Sequence, residues 1–230
     1  MVPAAMAEPV HLRPTAPLAP RVLLPGDPGR ALLLAQTLLH EPRMFNHNRG
    51  LWGYTGTAED GEALTIQATG MGGPSAAIVV RELVELGARR LVRVGTCGSL
   101  APELTLGSVL VATEALATDG TSRALGAGER VAPDGELLAA LRAGSPEAAA
   151  GPVATVDLFY DAPPPPDDAL AVEMEAATIL QLAQRLGVAA GCVLGVSDEL
   201  AGGERSRLDD EGLERLGEDV GRAGLLGLRA

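Results

Sequence analysis

Leu91-Val92-Arg93-Val94-Gly95-Thr96-Cys97-Gly98 is the stretch that decides how this chain reads. Leu91 to Val94 is a short apolar run broken by a single charge, the pattern of a strand buried on both faces. A buried guanidinium is costly unless an anion meets it. Small residues follow at once. Gly95 and Gly98 let backbone N–H groups come close to a ligand, and Thr96 adds a hydroxyl. An arginine at a strand's end beside a glycine-lined turn is a natural oxyanion site, phosphate above all. Pairing of Arg93 with a structural carboxylate explains the same residues equally well.

Similar units lie on both sides of this stretch. Arg21 to Leu24 reads as a strand, Pro25-Gly26-Asp27-Pro28-Gly29-Arg30 as a turn, and Ala31 to Leu39 as a helix. Asp27 suits the N-cap and Pro28 the first helical position. Arg30 then lies in a first turn, where a cation is unfavourable unless something negative is bound. Leu51 to Thr55 alternates like a strand, and Arg49 precedes it in a polar turn. Leu64 to Thr69 is another strand. It runs through Gly70-Met71-Gly72-Gly73-Pro74-Ser75 into a helix from Ala76 to Leu86 that stops at Gly87. The glycine spacing is not that of a dinucleotide-binding loop, and no Walker lysine follows.

Further on, Gly107 to Leu116 and Val153 to Val156 read as strands, with a helix near Gly135 to Arg142 between them. Asp157-Leu158-Phe159-Tyr160 follows, and Pro163 to Pro166 is a stiff connection. Val172-Glu173-Met174-Glu175-Ala176-Ala177 opens a helix that ends near Leu186, and its glutamates suit the helix dipole. Glu175, at the mouth of an apolar site, is also placed to grip two adjacent hydroxyls. Val188 to Val196 is a last buried strand with Ser197 and Asp198 at its carboxyl end, where Asp198 also suits a cap. Leu208, Leu213, Leu216, Val220 and Leu225 mark a C-terminal amphipathic helix interrupted by glycines. Strands and helices alternate throughout. The expected fold is α/β, one domain over residues 1–230, with a central mixed twisted β-sheet flanked by helices. Residues 1–20, rich in Pro and Ala, read as an N-terminal arm. In open α/β sheets ligands bind at the strands' carboxyl ends, where the polar candidates collect.

The formal net charge is -12, which argues against a nucleic-acid partner, although a few converging arginines still hold a small anion. All basic residues are arginine. Cys97 and Cys192 are too few for a disulfide framework or a cysteine metal site. No basic, apolar leader opens the chain, so the cytoplasm is the expected compartment. No apolar run approaches the ~18 residues of a membrane span.

The turn at Gly26 to Arg30, Asn48-Arg49-Gly50, the Gly70 to Ser75 loop, the Arg93 to Gly98 segment, and Val172 to Ala177 with Val196-Ser197-Asp198 occur in one order. In that order they resemble the nucleoside phosphorylase-I family, and within it the hexameric bacterial purine enzymes. The resemblance implies roles. Gly26, Arg30, Arg93 and Thr96 form a phosphate cradle, and Arg49 is lent to it by a neighbouring subunit. Met174 and Glu175 hold the ribose, with Met71 on the sugar side. His11 is donated across the dimer interface to the ribose 5′-hydroxyl. Phe159 packs on the base, with Val172, Glu173 and Ser197 on the base side. Asp198 protonates the leaving purine, supported by Arg205 or Arg207 downstream. Phosphate is a co-substrate, and neither cofactor nor metal is implied. The implied assembly is a trimer of dimers, and the implied place is purine salvage.

The chain departs from the uridine phosphorylases within that family. Those enzymes grip the pyrimidine with a glutamine and an arginine just after the Phe-Tyr pair, and Asp161 to Asp168 holds neither. Three other readings compete with purine phosphorolysis: uridine phosphorylase, a hydrolytic nucleosidase, and a non-catalytic nucleoside-binding protein of the same fold. Arg30, Arg49 and Arg93 argue against hydrolysis, because water needs no arginine cradle.

Overall fold

The computed structural model describes residues 9–161, 163–200 and 206–229. Its centre is a parallel set of strands, β1 (Arg21–Leu24), β4 (Ala63–Gln67), β5 (Arg90–Ser99) and β10 (Ala189–Glu199). β1 lies between β4 and β5, and β5 runs beside β10 over ten residue pairs from Arg90 to Ser99. β2 (Leu39–Asn46) and β3 (Gly53–Ala58) extend one side in antiparallel fashion. On the other side stand β6 (Val109–Ala117), β7 (Arg130–Val131), β8 (Ala149–Thr155), β9 (Ala171–Glu173) and the short β11 (Ser206–Arg207). The sheet is mixed, as expected. It also closes on itself, because β5, β10, β6, β8 and β9 pair in a continuous ring. That closure removes two free edges, which an open sheet would have to protect.

Helices cover both faces. α2 (Gly73–Leu86) and α5 (Ala176–Leu186) pack together on one, with α3 (Gly120–Ala124) between them and the loop after β6. α1 (Pro28–Leu38), α4 (Gly135–Gly144) and α6 (Asp210–Leu228) cover the other. The two-residue period of β5 divides its side chains between these layers. Leu91 and Cys97 join Val79, Val80, Leu83 and Ile179, whereas Val92 and Val94 join Leu34, Leu216 and Val220. Arg93 has the parity of Leu91 and Cys97, so it enters the α2–α5 layer.

The structure corrects several boundaries. Val172 and Glu173 belong to β9, and the helix opens only at Ala176, because Val172 pairs with Gly98 and Ala154 in the ring. Leu39 leaves α1 and begins β2. β2 itself, hidden in sequence by His40-Glu41-Pro42-Arg43, is an exposed edge strand whose register shifts between His40 and Arg43, a setting that tolerates proline. α6 is continuous rather than interrupted. Its glycines form the contact face: a Cβ on Gly221 would sit 2.2 Å from Leu34, and one on Gly224 2.5 Å from Val94. The N-terminal segment is tightly bound from its first described residues. Leu12 is fully buried, Arg13 N–H donates to Asn46 (2.9 Å) and Ala19 N–H donates to Thr65 (2.9 Å). Residues 1–8 of the expected arm lie outside the described residues.

Candidate active site

The carboxyl ends of β1, β4, β5 and β10 meet at one end of the sheet. Two loops leave there and are tied together: Thr69 N–H donates to the Pro25 carbonyl (2.8 Å) and Gly70 N–H to that of Gly26 (3.0 Å). The Gly26 turn enters α1 under an Asp27 cap that accepts from the N–H groups of Gly29 and Arg30. The Gly70–Gly73 loop enters α2, with Gly70 and Gly72 both at left-handed φ values that glycine adopts freely.

Arg93 lies beneath these loops and is 3% exposed. Its Nε donates to Glu173 Oε2 (2.7 Å), and its Nη2 pairs with Glu175 Oε2 (2.5 Å). The guanidinium folds back over Gly95, where a Cβ would stand 2.8 Å from its central carbon. The structural carboxylate that competes for Arg93 is thus present. Arg93 Nη1 is still buried, with no hydrogen-bond partner among the described residues. That nitrogen is 4.0 Å from the position a Gly26 Cβ would take. Burial works against the Arg93 charge, yet Glu175 and then Glu173 hold its pKa above the ordinary value. Arg30 comes from the other side, its Nε 3.5 Å from a Cβ position on Gly217 of α6. Burial lowers the Arg30 pKa, and Arg93 lowers it further against the opposing pull of Asp27. The Arg30 and Arg93 guanidiniums are thus close enough for their charges to bear on each other. Thr96, half-buried, follows on β5.

Glu173 has a different place from the base-side one expected of it. Its carboxylate is sequestered: Oε1 accepts from Thr155 Oγ1 (2.6 Å), and Oε2 takes Arg93 and the Glu175 N–H (2.8 Å), with Ala176 N–H (2.9 Å) shared. It anchors Arg93 and caps the start of α5. Glu175 accepts from the Gly72 N–H as well as from Arg93. Burial raises its pKa; Arg93 counteracts this and Glu173 adds to it. Each carboxylate oxygen keeps lone-pair capacity for a hydroxyl. Met174 and Val172 are half-buried on either side of Glu173. Met71 is 88% exposed on the loop that enters α2, and Phe159 is 52% exposed with Tyr160 edge-on at 4.9 Å.

Asp198 is buried at the end of β10, just after a register shift between Val196 and Asp198 that re-aims the strand. Ser197 Oγ donates to Asp198 Oδ2 (2.7 Å). Arg207 lies opposite Asp198 in the β10–β11 ladder, with its Nη1 3.8 Å from Asp198 Oδ1. Arg205 lies outside the described residues. Nearby Cys97 is inert as a nucleophile, since burial pushes its thiol up to about 12.

His11 and Arg49 are not part of this cluster. Arg49 is exposed at a left-handed φ of 57° in the turn Asn48–Gly50. Among the described residues no hydrogen bond or ion pair joins it to Arg30, Arg93 or Glu175. Asn48 Nδ2 donates to the His11 carbonyl (2.8 Å), so these two residues share one patch of surface. His11 Nδ1 is 2.8 Å from Glu82 Oε1. Glu82 escapes the sequence reading. Its signal is position: it falls three residues after Val79 on the apolar stripe of α2, where a charge needs partners.

The sequence profile of the phosphorylase superfamily matches residues 20–226. The purine nucleoside phosphorylase DeoD-type of Geobacillus kaustophilus is 38% identical over 208 residues, 85% of this chain and 88% of that protein. The proteins of the same name from Oceanobacillus iheyensis (38%; 84% of this chain, 88% of that one) and Caldanaerobacter subterraneus (35%; 84% and 88%) are similar over nearly the same span. The described helices include none long and apolar enough to cross a membrane. With a matched span that takes in every element of the site, the chain belongs to the phosphorylase superfamily.

Proposed function

We propose that this protein is an enzyme that cleaves the N-glycosidic bond of purine nucleosides with inorganic phosphate, releasing the base and the pentose 1-phosphate. The observation that carries the reading is the buried Arg93 Nη1, which has no hydrogen-bond partner among the described residues and lies near Gly26 and Arg30. A guanidinium N–H in that state is matched by an oxyanion with several acceptor oxygens. The names of the relatives supply the substrate class.

In this reading phosphate rests on Arg93, Arg30, Thr96 and the Gly26 N–H, and Glu175 accepts from the ribose hydroxyls. The bond from C1′ to the purine nitrogen breaks as positive charge grows on the sugar. A phosphate oxygen closes on C1′ from the opposite face, and the arginines keep it in place without a covalent enzyme intermediate. The electron pair of the broken bond goes to the purine, and Asp198, held by Ser197 and flanked by Arg207, donates the proton that neutralises it. Met71, Met174, Val172 and Phe159 offer the apolar walls. Glu173 acts behind Arg93 rather than on the base.

His11 and Arg49 serve a neighbouring subunit's site. Their common patch, apart from the chain's own Arg93 cluster, supports this; residues lent across an interface make a homodimer the least unit, and the family resemblance suggests a hexamer. Phosphate is a co-substrate and no cofactor is required. The free thiols of Cys97 and Cys192 are compatible with the reducing cytoplasm, where purine salvage would use the reaction. Inosine, adenosine, guanosine and uridine assayed with and without phosphate test the reading. Purine release that needs phosphate is expected. Release without phosphate identifies a nucleosidase, turnover of uridine alone a uridine phosphorylase, and thermal stabilisation without turnover a binding protein.

A further inference from the structure

α2 buries a carboxylate that the chemistry above leaves unused. Glu82 is 7% exposed among Val79, Val80 and Leu83. Its Oε2 accepts from the N–H of Leu12 (2.6 Å) and of His11 (3.1 Å), and its Oε1 from the N–H of Val10 (3.2 Å) and of His11 (3.1 Å). The His11 ring adds the Nδ1 contact at 2.8 Å. Burial alone would raise the Glu82 pKa, but these donors outweigh it and hold the group below its ordinary value. An ionised carboxylate only accepts, so the hydrogen between the two groups belongs to Nδ1. In a neutral imidazole that leaves Nε2 with its lone pair and no hydrogen. Asn48 fixes the same residue from behind through the His11 carbonyl.

We propose that Glu82 is a positioning residue that holds His11 in the Nδ1–H tautomer, so that Nε2 accepts a hydrogen bond from the 5′-hydroxyl of a nucleoside. The proposal rests on the functional reading above and narrows its substrate class. Nucleosides with an O–H donor at C5′ are favoured. Those with a 5′-methyl or 5′-alkylthio group leave Nε2 unpaired in a desolvated site and are selected against by about tenfold or more.

The test uses the full-length enzyme, uniformly nitrogen-15 labelled, with inosine and 5′-fluoro-5′-deoxyinosine as probes. Glu82→Gln keeps an acceptor for the Leu12 and His11 N–H groups but turns an amide donor toward Nδ1 and the Val10 N–H. The His11 ring signals, assigned by their loss in His11→Ala, are expected to report the Nδ1–H tautomer in the wild type and its loss in Glu82→Gln. A hydroxyl accepts as well as donates, so the substrate readout uses an analogue whose 5′ fluorine only accepts: the ratio of kcat/KM for inosine over 5′-fluoro-5′-deoxyinosine is expected to fall about tenfold in Glu82→Gln, where Nε2 carries the hydrogen, and Glu82→Gln is expected to leave the ratio unmoved in a His11→Ala background. A merely structural glutamate would lower both substrates together and leave the ratio unmoved, which would overturn the proposal. So would an Nε2–H tautomer in the wild type, a result that does not depend on Glu82→Gln folding. Absence of turnover by the wild type on any nucleoside would instead strike the functional reading, and the tautomer would still decide the role of Glu82.

Discussion

Arg93 and Glu175 touch at 2.5 Å beneath the end of the sheet, in one buried cluster with Glu173. The pair links the two halves of the proposed site, because one partner faces the oxyanion and the other the sugar. Arg93 therefore has two duties that substitution should separate. Arg93→Ala strands two buried carboxylates, and breaking such a pair costs about 3–5 kcal/mol. Denaturant unfolding should record that loss. Among molecules that remain folded, kcat/KM for phosphate should fall about 100-fold, against a smaller change in KM for the nucleoside. An unchanged phosphate dependence would remove Arg93 from the cradle.

Gly95 tests the cradle more gently. A methyl group there would meet the Arg93 guanidinium at 2.8 Å, so Gly95→Ala must push that side chain off its seat. Overpacking of this kind costs about 1–3 kcal/mol. The expected result is a phosphate KM raised about tenfold or more, measured by initial rates at saturating inosine. A variant with wild-type phosphate kinetics would show that the observed guanidinium position does not matter.

Asp198→Asn should slow purine release about 100-fold or more in kcat, the order of one lost transition-state interaction. Asparagine preserves the size of the side chain and much of its bonding to Ser197, so the melting temperature should hardly move. A nucleoside methylated on N7 already carries a positive base and departs without a proton. Its turnover should be far less affected by the variant, and equal damage to both substrates would argue against Asp198 as the proton donor.

The ion pair between Arg21 and Asp60, with two contacts of 2.6 Å, lies away from the site and gives a pH signature. The Arg21 hydrogen bonds hold the Asp60 carboxyl down to about 2, from an ordinary value near 3.8. A depressed carboxylate adds stability above its unfolded pKa and loses it as pH falls toward the folded one. Allowing for solvent screening, Asp60→Asn should cost about 1 kcal/mol at pH 7. The deficit should shrink to about half by pH 3, as read from denaturant midpoints at each pH. A deficit that grows on acidification would contradict the sign.

Much of this was open to reading from sequence because it follows from local chemistry. Asp27 and Pro28 mark the start of α1, Gly87 the end of α2, and the apolar runs of β1, β5 and β10 the buried strands. Elements whose identity depends on distant partners were not legible. β9 exists because Val172 pairs with Gly98 and Ala154, and the ring of strands depends on such pairings. The α6 glycines looked like interruptions because a missing side chain gives no sign of the Leu34 or Val94 that fills its place. In the site, the arginines were visible as charges in costly positions, but the sequestering of Glu173 by Thr155 and Arg93 was not. Glu82 was a charge on an apolar stripe, and its partner lies some seventy residues earlier in the chain.

Everything in the proposed reaction depends on inorganic phosphate as the group that attacks the sugar, and phosphorus-31 NMR of the enzyme with inosine follows that group directly. A pentose 1-phosphate resonance should grow in step with hypoxanthine while the inorganic phosphate signal declines by the same amount. Hypoxanthine released with the phosphate signal unchanged, and free ribose in solution, would mean that water is the nucleophile and that Arg30 and Arg93 hold something else.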